Sequence, residues 1–121
     1  MILVDTSIWI DHLREGSRAL TNLLNDGEVL CHPFIIGELS CGNLRQRREI
    51  IALLHALPPL DRVSDDEVLF FIEKHRLFGK GLGLIDIHLL ASCSMSSCQL
   101  WTKDKRLMKV AENLGIRAKL G

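Results

Sequence analysis

Five apolar runs punctuate the chain: Ile2 to Val4, Glu28 to Cys31, Leu60 to Val63, Gln99 to Thr102 and Ile116 to Lys119. Each is only three or four residues long, and helix-like patterns fill the spaces between them. This alternation constrains the fold more than any other feature. A strand that is apolar at successive positions is buried on both faces, and parallel strands need long crossover connections. Short apolar strands interleaved with helices therefore predict an α/β protein with a mostly parallel sheet covered on both sides.

The helical segments carry their own start and stop signals. Ser7 is expected to cap a helix over Ile8 to Arg14, and Ser17 a second one carrying Leu20, Leu23 and Leu24 that Gly27 stops. Pro33 suits the first turn of a helix containing Phe34, Ile36, Glu38 and Leu39, because proline there gives up no needed donor. Arg45 to Leu57 reads as another amphipathic helix. The string Ser64-Asp65-Asp66-Glu67 is a capping box opening Val68 to Phe78. Leu84 to Cys93 follows a glycine-rich stretch, and a last helix over Lys105 to Leu114 ends at Gly115.

At 121 residues, with no internal repeat or linker, the chain reads as one domain over residues 1–121, large enough to bury a core without staples. No apolar stretch approaches the roughly 20 residues of a membrane span, and no basic leader precedes the first strand. A cytoplasmic location is the expectation, with Cys31, Cys41, Cys93 and Cys98 as free thiols rather than bridges or zinc ligands. Fifteen Lys and Arg balance fifteen Asp and Glu, which excludes a uniformly basic surface but leaves room for local patches.

In open parallel sheets, sites form beyond the carboxyl ends of the strands. Asp5 follows the first strand and Asp104 follows Gln99 to Thr102, so two acids share one rim. Glu38 and Asp86 are set among apolar residues on helices that should face the core. Taken singly, Asp5 and Asp104 could be helix caps and Asp86 a first-turn acid favoured by the helix dipole. Several carboxylates gathered together are costly without a cation, and an all-oxygen set suits Mg²⁺ or Mn²⁺. Thr6, Ser7 and Thr102 are placed to hydrogen-bond those carboxylates or a metal-bound water.

The segments ILVDTSIWIDHL, PFIIGELSCG, GLGLIDIHLLAS and LWTKDKRL, in this order, resemble the PIN-domain ribonucleases and, within them, the VapC-like toxins of bacterial toxin–antitoxin pairs. The resemblance implies a three-layer α/β/α sandwich around a mostly parallel sheet. It also implies a Mg²⁺- or Mn²⁺-dependent endoribonuclease that a cognate antitoxin neutralises. Asp5, Glu38, Asp86 and Asp104 match the family's acid positions and are expected to form the catalytic, metal-binding set, with Glu38 a ligand or a water-orienting base.

Arg14, Lys80, Lys103 and Lys105 are candidate RNA contacts, although basic helix faces are ordinarily just solvated. His88 reads as a hydrogen-bonded neighbour, and Trp9 and Trp101 as core. Gly79 to Gly83 follows a helix rather than a strand and lacks the ending of a nucleotide-binding loop. A haloacid-dehalogenase-like phosphatase would need a second Asp where Ser7 stands. Ile8, Leu13, Leu20, Leu24, Leu53 and Leu54 are expected to offer an apolar surface for an antitoxin helix or for a homodimer.

Overall fold

The computed structural model describes residues 1–120. Strand β1 (Ile2–Val4) leads into α1 (Thr6–Glu15) and α2 (Arg18–Asn25); β2 (Val29–Leu30) leads into α3 (Pro33–Ser40) and α4 (Arg47–Ala56). Then come α5 (Asp65–His75), α6 (Leu84–Ser96), β3 (Gln99–Trp101) and α7 (Lys105–Asn113). The sheet order is β2-β1-β3 with both pairings parallel, Ile2 opposite Val29 and Gln99. Ile2, Leu3 and Val4 are all buried. Successive strand side chains point to opposite faces, so burial of all three requires cover on both, which is the sandwich the pattern predicts.

The two outer runs are a correction. Leu60 to Val63 and Ile116 to Lys119 do not form strands; each edge is reduced to a single parallel bridge, Cys31 to Pro59 and Leu100 to Arg117. At the first edge the Cys31 amide donates to Pro58 and Leu60 donates back to Cys31. Pro58 and Pro59 have no N–H for a longer ladder. Leu100 makes the equivalent pair of bonds with Ile116 and Ala118. Edges this short present few open backbone groups to another chain.

Several helix bounds also move. Helix α1 starts at Thr6, with Asp5 rather than Ser7 in the cap position. Helix α4 begins at Arg47, because Gln46 takes a left-handed conformation that a helix cannot continue. Left-handed Arg76 ends α5 at His75, short of Phe78, whereas α6 runs on to Ser96. Ser17 and the Ser64–Glu67 capping box act as expected. All four cysteines are free, and Trp9 is core while Trp101 is half-buried.

The apolar docking surface does not form as expected. Ile8, Leu20 and Leu54 are buried and only Leu53 of the six is well exposed, because those three side chains join the hydrophobic core. The most exposed large apolar side chains come later in the chain, at Leu69 and Phe70 on α5, Phe78, Leu84, and Met95 on α6. No helix among the described residues is long and apolar enough to cross a membrane.

Candidate active site

The turn after β1 builds the first wall. The Asp5 amide still donates to Trp101 across the sheet at 2.9 Å, so its backbone completes the ladder before the chain turns into α1. Although Asp5 occupies the cap position, its side chain makes no capping bond. Its Oδ2 instead accepts from Thr102 Oγ1 at 2.7 Å and from Ser7 Oγ at 3.1 Å, and the residue is only 7% exposed. Helix capping is thus excluded as the reason for this carboxylate. The apolar strand ends in an acid that two hydroxyls hold, Thr102 from the turn after β3 and Ser7 from the first turn of α1.

Thr102 connects Asp5 to the next acid, since its Oγ1 accepts from the Asp104 amide at 3.1 Å. Asp104 does cap its helix, Oδ1 accepting from the Arg106 and Leu107 amides at 2.9 and 3.2 Å. Glu38, in the last turn of α3, accepts at Oε1 from Thr6 at 2.8 Å. Asp86, in the first turn of α6, accepts at Oδ2 from the Gly83 amide at 3.1 Å. Thr6, Ser7 and Thr102 therefore all reach the carboxylates they were expected to reach.

Two of the acids respond to their neighbours. Burial pushes the Glu38 carboxyl above its usual range, and the charges of Asp5 and Asp86 push it further, while the Thr6 bond pulls it down. Asp86 is raised by burial first, then by Asp5 and Asp104, against the pull of the Gly83 amide. Each carboxylate has one oxygen engaged and one that makes no hydrogen bond among the described residues: Oδ1 of Asp5, Oε2 of Glu38, Oδ1 of Asp86 and Oδ2 of Asp104. In chemistry this donor set fits a hard divalent cation. In geometry it is open, for no three His, Cys, Asp or Glu side chains among the described residues close into a ready-made cation cage.

The candidate RNA contacts divide. Lys105 lies in the first turn of α7 directly after Asp104, and Lys80 is exposed on the loop before α6. Lys103 is tied to Asp11 by an ion pair at 2.6 Å. Arg14 sits in the last turn of α1, nine residues or about 14 Å of helix rise from Asp5, and is not brought to the acids. His88 is buried with its ring edge against Phe34, 4.9 Å between centroids, and faces the core rather than the rim.

One device escaped the sequence. Buried His32 caps α3, its Nδ1 accepting from the Phe34 amide at 3.0 Å, so the ring proton resides on Nε2 and is donated to Ser92 Oγ at 3.1 Å. Ser92 in turn donates to the Asp61 carbonyl at 3.0 Å. Burial, then the positive charges of His88 and Arg62, hold the His32 pKa down at about 4. The relay ties α3, which carries Glu38, to α6, which carries Asp86. Its only trace in the sequence is a histidine before Pro33, a position usually held by Ser, Thr, Asp or Asn.

Residues 2–113 match the PIN domain family. Over 117 residues the chain is 44% identical to Ribonuclease VapC32 from two strains of Mycobacterium tuberculosis, covering 96% of this chain and 94% of the relative. Among solved structures it is similar to FitAcB from Neisseria gonorrhoeae, with a TM-score of 0.63, 20% identity and coverage of 93% and 94% of the two chains. It is also similar to FitAB bound to an IR36 DNA fragment, with a TM-score of 0.64, 16% identity and coverage of 93% and 91%. At those identities the two solved structures establish a common fold.

Proposed function

Because this chain belongs to the PIN domain family, we propose that it is a metal-dependent endoribonuclease, the toxin of a toxin–antitoxin pair, acting on RNA in the cytoplasm. The observation that carries this reading is the rim of four carboxylates, each held by one oxygen and presenting the other. Asp5, Asp86 and Asp104 would hold Mg²⁺ or Mn²⁺, which when bound supplies an acidified water and neutralises charge at the phosphodiester.

The protein's own groups do the positioning. Thr102 and Ser7 fix the rotamer of Asp5, and the capping amides fix Asp104 and Asp86, so little ordering remains for the moment of reaction. Glu38, anchored by Thr6, has its carboxyl raised by burial and by the neighbouring acids. That suits its free Oε2 to accept a proton from the attacking water as the new P–O bond forms and the leaving oxygen departs. Exposed Lys80 and Lys105, the latter directly after Asp104, are the groups to meet the flanking backbone in this reading. A cognate antitoxin is the regulatory partner, and the exposed apolar face of α5 and α6 supports a homodimer.

The test is cleavage of structured and unstructured RNA by the purified protein in Mn²⁺ or Mg²⁺, beside Asp5→Ala, Glu38→Ala, Asp86→Ala and Asp104→Ala. Cleavage should stop in chelator and fall by about 10² or more in the variants, the scale on which positioned acid–base and electrostatic groups act. Equal cleavage by folded variants and wild type would place the activity elsewhere.

A further inference from the structure

We propose that the cleft between the loop preceding α6 and the exposed face of α7 is a phosphate site for the RNA backbone beside the scissile bond, an inference that rests on the ribonuclease reading above. The cleft encloses about 280 Å³ and is lined by His75, Lys80, Arg106 and Lys109 over an apolar floor that includes Leu77 and Val110. No carboxylate among the described residues lines it.

Being unpaired does not by itself distinguish these cations, since only three of the fifteen Lys and Arg side chains form ion pairs among the described residues; their convergence on one concavity does. Arg62, Lys103 and Arg117 are matched with Asp65, Asp11 and Glu112. Lys80, Arg106 and Lys109 take part in no ion pair among the described residues. The nearest acid along the helix from Lys109 is Glu112, and Arg117 already holds it at 2.9 Å. Three exposed cations thus converge on one concavity that no acid among the described residues lines.

The loop is shaped around one of them. The Arg106 side chain lies directly on Gly81, where a Cβ would meet Nη1 at 2.7 Å and Cδ at 2.9 Å. Gly81 also has a φ of +77°, so glycine supplies both the backbone conformation and the space. A guanidinium seated in this way is pre-positioned for two-pronged contact with phosphate oxygens, while Lys80 and Lys109 act as mobile point charges.

The walls of the cleft are the elements that present two of the acids. The Arg106 amide bonds Asp104, and Gly83, two residues after Gly81, bonds Asp86. Lys109 is five residues from Asp104, about 7.5 Å of helix rise. The chain carries no net charge to draw a polyanion toward it, and four carboxylates at the centre repel one. Unpaired cations beside the acids offset that repulsion where it acts, within the screening length of salt water.

The decisive measurement is fluorescence anisotropy of a labelled single-stranded RNA in chelator, over a series of salt concentrations, for wild type and the double variant Lys80→Gln/Lys109→Gln. The slope of log affinity against log salt should become shallower by about 1.4, roughly 0.7 for each phosphate contact removed. Gly81→Ala, which keeps every charge but unseats Arg106, should weaken binding as well, with melting curves verifying the fold. In Mn²⁺ the loss should fall on KM more than on kcat.

A wild-type slope in the double variant, or no RNA binding by wild type, would overturn the proposal. So would an equal loss in the control pair Arg45→Gln/Arg48→Gln, which would mean diffuse attraction, or a loss of affinity for a protein partner with RNA binding intact. If wild type binds RNA but never cleaves it, the ribonuclease reading fails while the anisotropy series still judges the cleft.

Discussion

At the scale of single residues, Glu38 and Asp86 carry a charge that costs the fold and suits the proposed chemistry. Glu38 and Asp86 both have carboxyl groups raised above their usual range by burial and by neighbouring negative charge. A raised carboxyl favours its protonated form in the folded state. Its stabilising contribution is present below the ordinary carboxylate range and is lost as pH rises through the raised value, so at neutral pH the cation-free protein carries a net penalty. Asp86→Asn should therefore raise the melting temperature in chelator. A divalent cation at about a hundred times its Kd should stabilise wild type by roughly 2.7 kcal/mol and the variant much less. Thermal melts of both proteins with chelator and with Mn²⁺ check this; parallel curves indifferent to metal would sink the converging-carboxylate account.

At the scale of elements, the His32 relay braces the two helices that bring Glu38 and Asp86 together. Protonating Nδ1 would set a donor against the Phe34 amide, leaving α3 without its cap and two donors facing each other in the interior. The His32 pKa is depressed to about 4, chiefly by burial. Between its unfolded value near 6.5 and that figure the unfolded chain binds more protons. Stability from this group is then full above about 6.5 and lost as pH falls toward 4, by an amount on the order of 3 kcal/mol. His32→Asn keeps a side-chain cap but removes the titration. Denaturant unfolding across this range should show a steeper loss in wild type than in the variant; equal slopes would mean that other groups govern acid sensitivity.

At the scale of the whole molecule, the apolar surface left open is where self-association is expected. Phe70 is 68% exposed and, with Met95, lines a cleft of about 550 Å³ between α5 and α6. Helix α5 is acidic at its start, Asp65 to Glu67, and basic at its end, Lys74 and His75. Two copies packed antiparallel along α5 would set each acidic end against a basic one, with the apolar residues between them, as a twofold interface requires. The expectation is a dimer in solution that Phe70→Glu converts to monomer, since losing a central aromatic contact costs on the order of 2 kcal/mol or more. Sedimentation of both proteins decides it, and a dimer that survives Phe70→Glu would place the interface elsewhere.

The sequence by itself determined what depends on neighbours along the chain. The three inner strands, the Ser17 cap and the Ser64–Glu67 box are local matters of periodicity and hydrogen bonding, and each falls within the segment where the pattern placed it. The four acids were legible because a carboxylate is conspicuous after an apolar strand or on a core-facing helix. Their hydroxyl partners were legible because Thr6 and Ser7 directly follow Asp5 and Thr102 lies two residues before Asp104, at the ends of strands that share one rim. The tertiary structure decided what depends on residues far apart in the chain. It reduced the outer runs to single bridges, paired Lys103 with Asp11, buried Ile8, Leu20 and Leu54 while leaving Phe70 outside, and joined His32 to Ser92 across sixty positions. It also laid Arg106 on Gly81. Which face of an amphipathic helix is covered, and which cation finds a carboxylate, follow from how the helices dock over the sheet, and docking is a property of the packed whole that no local pattern encodes.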